Sequence, residues 1–367
     1  MVRTNCELTY QVSFATPAFL GNAEQQAQWR TPPFKALIRQ WWRVVKAREV
    51  GFDVARLRSE EMKLFGSASD DGSQKSHQSF LRLRLSSWDE GKLAKWPEGE
   101  KQEFHPEVGE GGRKVGTELY LGYGALEFNR ETRSTQLGSS KSSGKPRNAI
   151  DVDNKAIATL RVMLPAEYVP EVRAALQLAA WFGTLGSRAR NGWGALHLQE
   201  TAGGETGSLT KAALEGRCRA LADCLKLEWP HAIGHDGAGP LVWQTVPMAT
   251  WRDVMRELAR LKIAFRTQAA PFPDAKPGLI ERRHLISYPV TNHDVDAWGK
   301  QERLANQIRF KVVKAGAQRV GVIVHLPCRL PDEMARPLRE PIPNELALWQ
   351  DVHRVLDAPA NKLKRLA

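Results

Sequence analysis

Hydrophobic residues recur at every second position from Leu8 to Phe14, a pattern typical of a β-strand with one buried face. The spacing changes to that of a helix after Thr31, where two prolines suit a first turn whose amide groups have no partner within the helix. One face of this helix is apolar and consists of Phe34, Leu37, Ile38, Trp41 and Val45. The opposite face carries Lys35, Arg39, Trp42 and Lys46, with Arg43 beside them. We therefore expect an amphipathic helix whose outer face is a basic stripe that includes a tryptophan.

The rest of the first 200 residues alternates between the same two periodicities. The patterns predict helices at 54–64 and 172–182, and strands at 81–85, 114–128, 156–164 and 196–198. In the strand at 81–85, Arg82 and Arg84 alternate with leucines, which gives this strand one basic face. Together with the opening strand and helix, the order is β-α-(α)-β-β-α-β. This is the ferredoxin-like plan of α+β proteins, on which RNA-recognition modules are also built.

The second half begins after TAGGETG at 201–207, the best candidate for a linker. We therefore predict a first domain at 1–200 and a second α+β domain at 208–367. The second half is expected to contain a helix face with Leu214, Cys218, Leu221 and Leu225, a helix at 254–265, a β-hairpin at 306–326 and a helix from Asn344. These elements are compatible with a degenerate ferredoxin-like fold with helical additions, or with a helical appendage.

The charge of the chain indicates what kind of partner to expect. Its 367 residues include 53 lysines and arginines against 41 acidic residues, a formal net charge of +12. Residues 1–200 carry +5 and residues 201–367 carry +7, so the excess lies on folded surfaces and not in a basic tail. A protein this basic is a candidate for binding a polyanion such as nucleic acid.

The sequence also disfavours a membrane protein and an extracellular protein. No apolar run approaches the ~20 residues of a transmembrane helix, and the first ten residues do not resemble a signal peptide. The cysteines, Cys6, Cys218, Cys224 and Cys328, are scattered and form no CxxC motif. We expect a reduced cytoplasmic protein with no membrane partner.

Two glycine-rich segments concentrate basic residues. Residues 129–148 hold one acidic residue, Glu131, against Arg130, Arg133, Lys141, Lys145 and Arg147, and their composition predicts a mobile basic loop. Residues 183–196 (GTLGSRARNGWGAL) place Arg188 and Arg190 among glycines, between a helix and a strand. Glycine lets the backbone approach a phosphate, and arginine adds charge-assisted hydrogen bonds. A helix-capping glycine followed by a twisted loop is an equally weighted reading of this spacing.

Motifs for catalysis and metal binding are weak. His231 is followed four residues later by a second histidine, but the pair lies among glycines without cysteine partners, so a solvated loop is favoured over a zinc site. The segment GSSKSSGKPR lacks the spacing of a phosphate-binding loop. We expect no cofactor, no metal ion and no catalytic residue. One alternative stays open, a ribonuclease that uses His77 and His105 as acid and base, with Asp70 and Asp71 near basic strands.

Two stretches of the sequence resemble a known family. Residues 16–43 (TPAFLGNAEQQAQWRTPPFKALIRQWWR), followed by LFGS at 64–67, resemble the start of RAMP-superfamily CRISPR proteins. The turn at 183–196 resembles the glycine-rich loop that recurs in that superfamily. Together they are most similar to the first RAMP subunit of the Cmr complex, the type III-B CRISPR effector. The matching positions are Pro33, Lys35, Arg39, Trp41, Trp42 and Arg43, whereas Asn22 and Ala36 stand where that family usually has glycine.

The resemblance implies a ferredoxin-like RAMP fold within a ribonucleoprotein that acts in antiviral defence. A subunit of this kind would hold guide RNA and target RNA near the 3′ end of the guide, beside other Cmr RAMP subunits, and would not itself cut. Basic side chains interleaved with aromatic ones suit single-stranded RNA. The predicted RNA-binding residues are Arg30, Lys35, Arg39, Trp42, Arg43, Arg82, Arg84, Lys141, Lys145, Arg147, Gly186, Arg188, Arg190 and Gly192. The alternative is a RAMP endoribonuclease that processes guide RNA or cleaves target RNA.

Overall fold

The computed structural model describes residues 4–67, 76–140, 143–201, 207–271, 277–299 and 301–366. The helices are α1 (Thr31–Lys46), α2 (Val54–Phe65), α3 (Thr117–Gly122), α4 (Val169–Phe182), α5 (Leu221–Cys224), α6 (Trp251–Gln268), α7 (Arg282–Ile286), α8 (Asp332–Ala335) and α9 (Glu345–Asp357). The strands are β1 (Asn5–Phe14), β2 (Arg82–Leu85), β3 (Gln102–His105), β4 (Arg113–Gly116), β5 (Leu126–Asn129), β6 (Ser134–Leu137), β7 (Ala158–Pro165), β8 (Leu196–Glu200), β9 (Cys218–Ala220), β10 (Ile233–Asp236), β11 (Gly239–Pro240), β12 (Val242–Gln244), β13 (Ile308–Ala315), β14 (Gln318–His325) and β15 (Lys364–Arg365).

The chain divides into two compact units. The first comprises Met1–Glu98, Gly122–Leu209 and Lys311–Lys314. The second comprises Gly99–Leu121, Thr210–Phe310 and Ala315–Ala367. Each unit therefore draws on more than one stretch of sequence, whereas the predicted domains at 1–200 and 208–367 are contiguous and stay a prediction.

The first unit is built on a four-stranded sheet with the order β2-β7-β1-β8. Every pairing in it is antiparallel, and Tyr10 of β1 lies opposite Leu160 of β7 and Glu200 of β8. Helix α1 lies between β1 and β2 in the chain, and α4 connects β7 to β8. The order β-α-β-β-α-β with this arrangement of strands is the ferredoxin-like fold, which confirms the predicted fold class.

The core of this unit lies where the apolar faces of β1, α1 and α4 meet. The alternating residues of β1, Leu8, Tyr10, Val12 and Phe14, are all buried, as predicted. The predicted apolar face of α1 is buried as well, and α1 meets α4 where the rings of Trp41 and Phe182 lie 5.5 Å apart. Burying each of these large rings stabilises the unit by about 2–3 kcal/mol. The two helices are thereby fixed relative to the strand from which the candidate site begins.

The second unit repeats the same order of elements. Strand β12, helix α6, strands β13 and β14, helix α9 and strand β15 follow in this order along the chain. The four strands form a sheet with the order β13-β14-β12-β15, in which residues 311–314 of β13 are grouped with the first unit. Helix α6 begins at a capping box in which the Thr250 hydroxyl accepts from the amide of Asp253, and the Asp253 carboxylate accepts from the amide of Thr250. Helix α9 begins where Asn344 caps it, at the predicted position. Additional short helices and a small sheet of β9, β10 and β11 complete this unit.

Three predictions of local secondary structure are wrong. Residues 114–128 form β4, α3 and β5 in place of one strand, because the Glu100 carboxylate accepts from the Leu119 amide and so supports the first turn of α3. The segment 129–148 contains β6, which pairs with β5 and buries Leu137, so it is not a loop throughout. Cys218 lies in β9, opposite Ile233 of β10, and not on a helix.

Cys6, Cys218, Cys224 and Cys328 all have free thiols. Within the described part of the chain, no helix is both long and apolar enough to cross a membrane.

His231 is fully buried in the second unit, so the prediction of a solvated loop at this position is wrong. Its Nδ1–H donates to the Trp229 carbonyl over 2.7 Å, and its Nε2 accepts from the Arg219 guanidinium over 2.8 Å. Burial, together with the positive charge of Arg219, lowers the pKa of His231 to about 4. The ring is therefore neutral in the folded protein at neutral pH.

A neutral His231 makes the stability of the fold depend on pH. Because the ring takes up a proton readily only after unfolding, its stabilising effect is complete above about pH 6.5 and declines as the pH falls towards 4. We expect the free energy of unfolding to fall over this range by up to about 1.4 kcal/mol per pH unit from this residue. Urea unfolding of the wild type and of His231→Gln at pH 7, 5.5 and 4.5 measures the difference. Equal pH slopes in the two proteins would contradict the assignment.

Candidate nucleic-acid interface

The glycine-rich loop at 183–195 connects α4 to β8 and lies along residues 15–19, which follow β1. The Thr16 hydroxyl donates to the Gly192 carbonyl over 2.7 Å and accepts from the Ala195 amide over 3.0 Å. Further along, the amide of Gly194 donates to the Pro17 carbonyl, and that of Ser187 donates to the Phe19 carbonyl over 2.9 Å. These backbone and hydroxyl contacts join two loops that are some 170 residues apart in the chain.

Glycine is required where these two loops approach each other. Gly186 has a φ of +96°, and a β-carbon added there would lie 2.5 Å from the Phe19 carbonyl oxygen. Gly194 also has a positive φ, and a β-carbon on it would overlap the Leu185 carbonyl oxygen. Of the two readings left open for this turn, a simple helix cap does not explain such close packing. The glycines position the loop, and Gly192, a predicted contact residue, is buried within it.

A cavity of about 390 Å³ opens beside the joined loops in the first unit. Its volume falls within the range of about 300–1,000 Å³ that is usual for ligand pockets. The residues that line it are Phe19, Leu20, Gly21, Asn22, Gln25, Ala27, Arg30, Pro33, Ala125, Arg147, Asn148, Gly186 and Ser187. Two are arginines, three carry side-chain amides, and no carboxylate is among these described lining residues. The cavity therefore presents positive charge and amide groups to whatever enters it.

The two arginines of the cavity keep their positive charge available. Arg147 donates to the Gly124 carbonyl over 3.0 Å and to the Gln25 side-chain oxygen over 2.7 Å. These neutral partners fix the guanidinium without neutralising it. Arg30 stands immediately before α1, and its Nε is buried without a hydrogen-bond partner among the described residues. A buried donor of this kind favours an acceptor supplied from outside the chain, such as a phosphate oxygen.

Arg188 lies at the edge of the same region. Its side chain is exposed, and a β-carbon added to Gly124 would lie only 3.3 Å from its Nη2. Partial desolvation lowers the pKa of Arg188. Arg190, two residues further on, is half-buried. Of the predicted contact residues, Arg30, Arg147, Gly186 and Arg188 are thus brought together.

The predicted basic stripe on α1 is different from what we expected. Trp42 is fully buried, with its ring at 5.6 Å from that of Phe65, so the prediction that it could stack on a base is wrong. Arg43 forms two hydrogen bonds, of 2.5 and 2.7 Å, to the Glu61 carboxylate, and Arg39 lies 3.4 Å from the same group. Helix α2 covers this face of α1, which explains both findings. These arginines hold two helices together.

The remaining predicted residues lie outside the cavity. Arg82 and Arg84 are exposed on β2, where Arg84 lies opposite Arg161 of β7, so the predicted basic face of this strand is confirmed. Lys35 is half-buried on α1, and burial, together with the charge of Arg39, lowers its pKa. Lys145 is exposed. Lys141 lies outside the described residues.

The residues considered for catalysis lie in different units or outside the described residues. His77 is exposed in the first unit, whereas His105 belongs to the second unit and is buried, which lowers its pKa. Asp70 and Asp71 lie outside the described residues. In the part of the chain that the structure describes, no group of three or more histidine, cysteine or acidic side chains is arranged to hold a metal ion.

Sequence reasoning missed the amides that complete the cavity. Asn148 accepts from the amide of Ala27 over 2.5 Å and donates to the Gly91 carbonyl over 2.9 Å, so one side chain joins two loops. Gln25 has a φ of +65° and holds Arg147 in place. The cluster of polar amides at 22–28, which stands just before Arg30, was the available signal.

The family model described as the RAMP superfamily matches residues 12–197. Cmr1 from Pyrococcus furiosus is similar in structure, with 12% identity, a TM-score of 0.43, and coverage of 95% of this chain and 96% of that one. A chain of the type III-B Cmr-beta complex bound to cognate target RNA has 11% identity, a TM-score of 0.44, and coverage of 94% and 99%. A chain of a type IV-B CRISPR complex has 12% identity, a TM-score of 0.31, and coverage of 56% and 94%. No curated protein sequence matches significantly.

The close approach at Gly186 has a measurable consequence. We expect Gly186→Ala to lower the free energy of unfolding by about 2–3 kcal/mol, because the added methyl group must displace the Phe19 carbonyl as well as adopt a strained φ. Gly144→Ala is the matched control, since its φ is +67° but none of the described residues places an atom within 4 Å of the added one. Strain alone should cost that variant about 1 kcal/mol. Equal losses in thermal unfolding would contradict the packing described for Gly186.

Proposed function

Since the chain belongs to the RAMP superfamily, we propose that it is an RNA-binding subunit of a type III-B CRISPR effector complex. The observation that carries this proposal is the cavity in the first unit, where Arg30 and Arg147 face a space bordered by backbone and amide groups. We propose that this cavity holds the sugar-phosphate backbone of a guide or target RNA.

The chemistry of the cavity supports a phosphate-bearing ligand. Guanidinium groups bind phosphate oxygens through charge-assisted hydrogen bonds, which are roughly twice as strong as neutral ones. The side-chain amides of Asn22, Gln25 and Asn148 add donors and acceptors that suit ribose hydroxyls or base edges. A small neutral metabolite would not require two arginines in a cavity whose described lining contains no carboxylate.

The shape of the cavity supports a single strand over a duplex. Double-stranded RNA is bound across its wide, shallow minor groove, which calls for an extended surface. A concave space of about 390 Å³ instead suits nucleotides that have left the stack. The resemblance of residues 16–43 to the first RAMP subunit of the Cmr complex favours a position near the 3′ end of the guide. Neighbouring Cmr RAMP subunits would be its protein partners.

We further propose that the subunit acts by binding and not by cleavage. Acid–base cleavage needs two groups that reach the same phosphate. Of the histidines considered for this role, His105 is buried, and its Nδ1 accepts from the Glu107 amide. Burial in this position does not suit a group that must exchange protons with a substrate.

Three arginines test the proposed binding site. We expect the triple variant Arg30→Gln, Arg147→Gln, Arg188→Gln to bind a single-stranded RNA oligonucleotide about 10- to 100-fold more weakly, because three phosphate contacts are lost. The dependence of log K on log salt should become shallower by about 2, since each phosphate contact on a single strand contributes about 0.7. Fluorescence anisotropy across a salt titration measures both quantities, and labelled RNA recovered after incubation with magnesium should be intact.

The matched control removes the same charge elsewhere in the first unit. Arg48, Arg56 and Arg58 are exposed and lie near or on α2, so their replacement by glutamine keeps the net charge equal to that of the test variant. This control should bind RNA almost as the wild type does. Equal weakening in both triple variants would show that binding follows overall charge, and cleaved RNA in the wild-type sample would favour the endoribonuclease.

A further inference from the structure

Tyr123 is the most exposed large hydrophobic side chain among the described residues, with 68% of its surface accessible. It lies in the turn at 122–125, between α3 and β5. The turn itself is well fixed, because the amide of Ala125 donates to the Gly122 carbonyl over 2.9 Å and the amide of Gly124 donates to the Leu126 carbonyl over 3.1 Å. An aromatic ring is therefore presented to solvent from a backbone that does not need to rearrange.

Single exposed hydrophobic residues are common on protein surfaces and need no explanation by themselves. The surroundings of Tyr123 are what distinguish it. The next residue, Gly124, gives its carbonyl to Arg147 and leaves room beside its Cα for the Arg188 guanidinium. The residue after that, Ala125, lines the cavity. The turn at 122–125 therefore presents an aromatic ring to solvent. The same turn contacts Arg147 in the cavity and adjoins Arg188 at the edge of the cavity.

An aromatic ring beside arginines suits the binding of a nucleotide. A phosphate held by an arginine places the adjoining nucleobase within a few ångströms, and an unpaired base loses less to water when its face is covered by an aromatic ring. Stacking of this kind tolerates any base, because every base has a π-face. It also requires that the base be unpaired and splayed away from its neighbours.

We infer that Tyr123 is a stacking platform for one unpaired base of the strand whose backbone occupies the cavity. The inference rests on the proposed function and adds to it a base-binding position and the direction in which the strand leaves the cavity, over the turn at 122–125. The phenol ring supplies surface and not charge. Its contribution should therefore depend on the ring and on the base, and should be insensitive to salt.

The test uses the full chain, a single-stranded RNA oligonucleotide, and versions of that oligonucleotide with one abasic position moved along its length. Tyr123→Ala should weaken binding about tenfold, Tyr123→Phe and Tyr123→Trp should bind as the wild type does, and the salt slope should stay unchanged in all three. At one abasic position, wild type and Tyr123→Ala should bind equally, because the base that the ring covers is already missing. Phe104→Ala, which removes a ring that is 50% exposed in the second unit, is the matched control and should bind normally.

The possible outcomes separate this inference from the function on which it rests. If the triple arginine variant loses affinity while Tyr123→Ala does not, the cavity binds RNA but Tyr123 is not a platform. If Tyr123→Ala loses affinity equally for every abasic oligonucleotide, the ring acts on the fold of the turn and not on a base. If neither variant changes RNA binding, the proposed function itself is wrong. Rescue by phenylalanine together with one silent abasic position would establish the inference.

Discussion

The contact between the glycine-rich loop and residues 15–19 is the constraint on which the candidate site depends. Thr16, buried at the end of β1, accepts from one residue of the loop and donates to another. Because β1 and β8 are neighbours in the sheet, the two segments leave it side by side. Gly186 then lets the loop approach the Phe19 carbonyl to a distance that no side chain would allow, and Gly194 lets the loop fold back closely on its own Leu185. The cavity is the space left at the edge of this junction.

The basic residues of the first unit fall into two groups with different physical roles. Arg39 and Arg43 lie against Glu61 and tie α1 to α2, and the hydrogen bonds that Arg43 donates to Glu61 raise the pKa of Arg43. Arg30 and Arg147 instead line a space without a described carboxylate, and Arg147 is held by neutral oxygens. The net charge of +12 therefore does not by itself identify the binding surface. What matters is which guanidinium groups already have an anionic partner within the protein.

Much of the fold could be predicted from the sequence, because each element of the first unit carries a clear period. The buried positions of β1 and α1, the boundaries of α2 and the hairpin of β13 and β14 all follow from local pattern. Failures arose where a distant segment decided the outcome. The contact from Glu100 that supports α3 is invisible in a window of 15 residues, and so is the packing of α2 over Trp42. Helix α1 is buried on two faces. In the sequence it nevertheless looks amphipathic, because its second face carries arginines that pair with Glu61, a charged residue of α2.

The candidate site was predictable only in part, for a related reason. The sequence shows the glycines and arginines of the turn at 183–196 and Arg147. It does not show that they lie close together, because that depends on the order of the strands in the sheet.

A direct measurement of the RNA-binding surface is ultraviolet cross-linking of the full chain to a single-stranded RNA that carries 4-thiouridine, followed by mass spectrometry of the linked peptides. The proposed interface predicts links within 19–30, 122–126, 147–148 and 186–188. Links confined to the exposed face of β2, around Arg82 and Arg84, with none in those segments, would contradict it.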